Sequence, residues 1–121
     1  VLFDEFAIFG TDDHLAGQSH PHQWKFSDLP YIALSHSPAF FPKLCRDPIQ
    51  LVLSGHAHGG QIRLPFLKAL WVPKGTEKYV SGWFHSDKQH LFVCRGLGWS
   101  VAPLRMLCPP EAAYIDLIPC T

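Results

Sequence analysis

The sequence predicts an α/β fold, rich in short strands and poor in long helices. Short apolar runs recur between breaks made by eleven prolines and nine glycines, and runs bounded in this way read as strands. No stretch carries the period of a long amphipathic helix. Two neighbouring runs each end in a histidine, at the carboxyl end where α/β sheets bind ligands.

The first strand is expected over residues 6–10, an apolar run ending at Gly10, and the second over 31–35, from Tyr31 to Ser35, followed by His36 and a stop at Pro38. Residues 38–44 can form one or two helical turns, since proline is well placed in a first turn. A third strand is expected over 51–54, preceded by the break Asp47-Pro48. Runs 79–84 and 91–94 flank the polar stretch Ser86-Asp87-Lys88-Gln89 and read as a hairpin. A last strand is expected over 114–117. No internal repeat or low-complexity segment is present.

Composition narrows the function classes. A hydrophobic content of 47% with nine phenylalanines is ample for a core, which speaks against disorder. Ten basic and ten acidic residues leave a formal charge of zero without charge runs. There is thus no electrostatic footprint for nucleic acid, and no polybasic membrane patch. No apolar run approaches the length of a membrane span. Cys45, Cys94, Cys108 and Cys120 form no Cys-x-x-Cys pairs, which speaks against a structural zinc knot and favours free thiols. Localisation is left open between cytoplasm and a membrane-associated or envelope site.

The most informative stretch is Ser54-Gly55-His56-Ala57-His58-Gly59-Gly60-Gln61. Residues two apart in an extended chain point to the same side, so His56 and His58 can face one cavity. Imidazole is a ligand for zinc, manganese and iron, and the flanking glycines let the backbone pass close to an ion. His36, ending its own strand, is the third candidate. His20-Pro21-His22 mimics a metal pair, but no strand or glycine frames it, so those histidines and His14 read as incidental. Asp12-Asp13 reads as a turn or cap before a site role. Trp71, Trp83 and Trp99 are expected in the core or a cleft wall rather than stacking on a ligand. Arg95-Gly96-Leu97-Gly98 lacks the third glycine and following helix of a dinucleotide fingerprint.

Leu34-Ser35-His36-Ser37-Pro38, the octet from Ser54, Ile62, and Leu64-Pro65 together resemble the calcineurin-like metallophosphoesterases. The resemblance is closest to a bacterial phosphodiesterase branch. Cys94-Arg95-Gly96-Leu97-Gly98-Trp99-Ser100, Pro103-Leu104-Arg105 and Pro110-Glu111 resemble that branch's closing pattern.

The resemblance implies a sandwich of two mixed sheets flanked by helices, with this chain supplying most of the second sheet. It implies a site for two divalent ions (manganese, iron or zinc), His36 and His56 serving one metal and His58 the other. Arg105 could contact a substrate phosphate, since guanidinium suits phosphate oxygens; a structural pairing with Glu111 or Asp116 is at least as well supported. The implied substrate is a phosphoester, in this branch a phosphodiester that can be lipid-linked.

The family's Asp-x-His, Gly-Asp-x-x-Asp and Gly-Asn-His motifs do not occur in this sequence. Residues 1–121 are therefore expected to be the carboxy-terminal part of a single metallophosphoesterase domain. The catalytic histidine is expected upstream, none in this chain, so that the chain alone would be inactive. A non-catalytic phosphoesterase-like metal-binding or scaffold module is the alternative. Other His-x-His enzymes fit less well: metallo-β-lactamase-like hydrolases need Asp and His where Gly59-Gly60-Gln61 stand, and cupins need a glutamate near Ile62-Arg63.

Overall fold

The computed structural model describes residues 1, 5–13, 17, 25–46, 48–67 and 69–118. Five strands, β1 (Ala7–Gly10), β2 (Tyr31–Ser35), β3 (Ile49–Ser54), β4 (Gly82–Ser86) and β5 (Gln89–Val93), form one sheet ordered β1-β2-β3-β5-β4. The pairs β1–β2, β2–β3 and β3–β5 are parallel, and β4 closes antiparallel on β5. This is the expected mixed α/β sheet with few short helices.

One row across the sheet carries most of the core. Phe9 pairs with Ala33, Ala33 with Val52, Val52 with Leu91 and Leu91 with Phe84. Ala33, Val52 and Leu91 are fully buried, and Phe40, Phe41 and Leu44 belong to the same cluster. Those three come from the 3₁₀ turn Pro38–Phe40 and the helix α1 (Phe41–Leu44). Ser37 starts this crossover, its hydroxyl accepting the Ala39 amide at 3.3 Å, and Pro38 follows at the first position. Burying an aromatic or leucine side chain contributes about 1.5–3 kcal/mol, which explains why so short a helix holds its place.

In β3, Ile49 and Val52 are both fully buried although three residues apart. The register reconciles them: Tyr31 pairs with Ile49, but Ile32 pairs with Leu51, leaving Gln50 as an extra, exposed residue. A bulge of this kind resets the alternation of faces. The neighbouring row, Gly10, Leu34, Leu53, Phe92 and Trp83, points to the opposite face. There Leu34 is 45% and Trp83 50% exposed.

Several expectations need correction. The strand expected over 79–84 starts only at Gly82, because Thr76 and Tyr79 are held in a turn by the Tyr79 amide on the Thr76 carbonyl. The hairpin turn is Asp87-Lys88, with Ser86 and Gln89 as the closing pair. Residues 114–117 form no strand. Asp116 and Leu117 instead line a cavity of about 630 Å³ with Ile32 and Leu51, and the segment pairs with no strand among the described residues. Trp71, Trp83 and Trp99 lie outside the core, being 58%, 50% and 62% exposed, and Trp71 stands in a cavity wall, the other place expected for these residues. Cys45, Cys94 and Cys108 are free thiols; Cys120 lies outside the described residues. Among the described residues, no helix is long and apolar enough to cross a membrane.

Candidate metal centre

Parallel pairing of β2 and β3 puts both carboxyl ends on one edge, where Ser35 is in register with Ser54. His36 follows the first and His56 lies two residues beyond the second. Their ring centroids are 4.5 Å apart, tilted by 51°. The two turns are tied together, since the Gly55 amide donates to the His36 carbonyl at 3.3 Å. Between the strand ends lies a cavity of about 460 Å³, lined by Gly10, Thr11, Ser35, His36, Ser54 and Gly55. The buried hydroxyl oxygens of Thr11 and Ser54 have no hydrogen-bond partner among the described residues. Buried hydroxyls are ordinarily paired, so such atoms mark where water, an ion or a polar ligand would complete the shell.

His58 opens a 3₁₀ turn, His58–Gly60. The chain here runs through left-handed backbone, with φ of 63° at His56, 47° at His58, 63° at Gly59, 78° at Gly60 and 48° at Gln61. Non-glycine residues in such conformations cost about 1–3 kcal/mol each and persist where the surroundings hold them. The holding groups are visible. Arg63 Nε donates to the Gly59 carbonyl at 2.8 Å, and the buried Cys108 thiol reaches the His58 and Gly59 carbonyls at 3.3 and 3.4 Å. Glycine is required at both central places. A Cβ on Gly59 would lie 2.7 Å from Cys108 Sγ, and one on Gly60 would collide with Ala69 Cβ.

Burial, then the Arg105 charge, then His36 hold the His58 imidazole below its ordinary pKa. It is thereby kept in the neutral form that a metal ligand needs. Its Nδ1 is buried with no hydrogen-bond partner among the described residues. Thus His36 and His56 meet ring to ring, and His58 stands as an electrostatic neighbour of His36. Among the described residues, no three His, Cys, Asp or Glu side chains are grouped to hold an ion. His14, His20 and His22 lie outside the described residues. Asp12 is exposed and Asp13 half-buried, just beyond β1, where the Gly17 amide donates to the Asp13 carbonyl in a local turn.

Arg105 is engaged with backbone. Its Nε and Nη2 donate to the Gly98 carbonyl at 2.9 and 2.6 Å, Nη2 also to those of Arg95 and Gly96, and Nη1 to that of Cys108 at 3.3 Å. The expected pairing with Glu111 is corrected: Arg95 takes that place, at 3.1 Å from the carboxylate. Glu111 also accepts the Arg95 amide at 2.8 Å, and these two bonds hold its carboxyl below the usual range. Three contributors went unseen in the sequence: Gln61, whose buried side chain fastens residues 100–102, and the hydroxyls of Thr11 and Ser54. No spacing or composition signal singles out a lone amide or hydroxyl.

The chain is similar to known proteins over most of its length. The chain is 34% identical over 114 residues to phosphodiesterase YaeI of Escherichia coli (strain K12), covering 94% of this chain and 42% of that protein. It is 41% identical over 86 residues to the uncharacterized metallophosphoesterase YkuE of Bacillus subtilis (strain 168), covering 71% of this chain and 30% of that protein. Over 126 residues it is 36% identical to UDP-2,3-diacylglucosamine pyrophosphatase LpxG of Chlamydia trachomatis serovar D, covering 92% and 37%. No family model and no solved structure matches. A mixed sheet with histidines at its carboxyl edge, in a chain with these relatives, defines a metallophosphoesterase. The chain belongs to the metallophosphoesterase family, in its bacterial phosphodiesterase branch. It spans less than half the length of these curated relatives.

Proposed function

We propose that this chain is the carboxy-terminal part of a single metallophosphoesterase domain that hydrolyses a phosphoester, of the phosphodiester class, at a centre holding two divalent ions. The observation that carries the proposal is the meeting of His36 and His56 at 4.5 Å, on the shared carboxyl edge of β2 and β3, beside the cavity with the orphaned Thr11 and Ser54 hydroxyls. The donor set suits such ions: His36 and His56 would hold one, and the neutral His58, with its buried Nδ1, the other. Manganese, iron and zinc all accept imidazole with oxygen ligands. Bound ions would supply Lewis-acid activation of the phosphoryl group. Carboxylates to balance them would come from outside this chain, as would the catalytic histidine. The exposed row containing Leu34 and Trp83 supports the same division, since it is an apolar sheet face suited to the rest of a sandwich.

The chain's own residues shape the site. Cys108 and Arg63 fix the His58–Gly60 turn, and Arg105 fixes the loop beside it. Beyond Gly60 and Gln61 lies an apolar cavity of about 350 Å³ walled by Ile62, Leu70, Trp71 and Val101. Its lining, with the diacylated substrate in the name of the relative LpxG, supports a substrate with a lipid moiety.

The test joins this chain to the amino-terminal part of YaeI in place of the matched segment, and assays bis-p-nitrophenyl phosphate with manganese. The chimera should hydrolyse it. His56→Ala or His58→Ala should lower activity more than the roughly 10–100-fold typical of losing an outer-shell partner. The 121-residue chain alone should be inactive and bind at most one ion at His36, His56 and His58. A folded but inactive chimera would overturn the proposal, and two tight ions on the isolated chain that are both lost on His56→Ala and His58→Ala would overturn its ligand count.

A further inference from the structure

The hairpin of β4 and β5 brings two further histidines together, on the other edge of the sheet. His85 and His90 are direct partners in the antiparallel register. Their Nδ1 atoms lie 2.7 Å apart, and the ring centroids 4.8 Å apart at 86°. The cause lies in the sequence: the turn is the two residues Asp87 and Lys88, with Ser86 and Gln89 closing it. The closing pair of such a hairpin exchanges hydrogen bonds, so the next pair is the non-bonded kind, with Cα atoms about 4.5 Å apart and side chains closest. Because β5 runs parallel to β3, His90 at its amino-terminal end lies far from the edge that carries His36 and His56.

A neutral imidazole carries one N–H, so this contact needs one ring to donate from Nδ1 and the other to accept. Moving the donor's proton to its own Nε2 leaves two Nδ1 lone pairs facing one point, with no proton lost. Zinc–nitrogen bonds of about 2.0–2.1 Å place two tetrahedral ligands about 3.3 Å apart, so a small opening of the pair admits an ion. Both side chains are exposed, which gives the ion a path in and lets water fill its remaining positions.

We propose that His85 and His90 form a bidentate surface site for one divalent transition-metal ion, of the zinc or copper class, that staples the edge strand β4 to β5. Copper stands highest in the order of divalent affinities and is paramagnetic, which makes it the sharpest probe. In a ¹⁵N-labelled full chain with His36→Ala and His56→Ala, substoichiometric Cu²⁺ should broaden the amides of residues 83–92 first. Zinc affinity in that background should fall about a hundredfold on His85→Gln or His90→Gln, the low end of what joining two donors on one frame supplies. Unchanged amide shifts elsewhere would show those variants folded; if one fails to fold, the broadening pattern decides. Broadening that spares residues 83–92, or zinc affinity indifferent to both substitutions, would overturn the site. Because the probe reads the hairpin alone, its outcome is independent of the phosphoesterase centre.

Discussion

Gln61 and Ser100 close a two-bond ring across thirty-nine residues of sequence: the Gln61 Oε1 accepts the Ser100 amide at 2.6 Å, and its Nε2 donates to the Ser100 carbonyl at 2.9 Å. Nε2 also reaches the Ala102 carbonyl at 2.9 Å. One buried amide thus fastens the loop after β5 to the turn that carries His58. Gln61→Ala should lower unfolding free energy by about 1–3 kcal/mol, the cost of losing these bonds and leaving half-buried backbone groups unpaired, read from the midpoint of a urea titration. Gln61→Glu should do worse, since its carboxylate keeps the acceptor but faces two carbonyls it can only repel.

Gly60 tests whether the turn tolerates a side chain. Gly60→Ala forces a Cβ against Ala69 at a backbone φ of 78°. It should cost at least about 1–3 kcal/mol, the strain of that conformation alone. Gly98→Ala is the control, because nothing lies within 4 Å of its Cβ and its φ carries no penalty. Thermal unfolding of the two variants should separate them clearly.

Arg105→Lys should destabilise the chain by about 1–3 kcal/mol rather than pass as conservative. A lysine cannot reproduce a planar fork that serves the carbonyls of Arg95, Gly96, Gly98 and Cys108. Chemical denaturation reads the effect directly. An arginine serving only the substrate would leave stability unchanged on this substitution.

The Glu111 carboxyl titrates below its ordinary value of 4.5 because the Arg95 amide and guanidinium bond to its charged form. A folded-state pKa lower than the unfolded one means that the unfolded chain binds the proton first. The stabilisation is therefore complete above pH 4.5 and is lost as the pH falls through the lower folded value. Glu111→Gln should flatten this part of the acid limb in a stability-versus-pH series. Its curve should converge with the parent's at the acid end, where both side chains are neutral.

Strand positions were legible where burial follows local pattern. Tyr31–Ser35 appears with the bounds expected, and the strands near 6–10, 51–54 and 91–94 shift by a few residues at most. The pairing of His36 with His56 was foreshadowed because each follows an apolar run stopped by proline or glycine. Residues 114–117 misled because a short, mostly apolar run reads as a strand, while whether a strand forms depends on an edge to pair with, which is a non-local matter.

By itself the sequence determined the strand-rich α/β class, the neutral charge balance and the family resemblance, and it singled out His36, His56 and His58 as candidate ligands. These depend on residue type and short spacing, which the chain carries wherever it folds. Only the tertiary structure decided that Arg105 serves backbone carbonyls, that Arg95 takes Glu111, that Gln61 fastens residues 100–102, and that His85 meets His90. Each of these follows from sheet register or the path of a loop. A hydrogen bond is made over a few tenths of an ångström, a scale on which only the folded chain brings partners together.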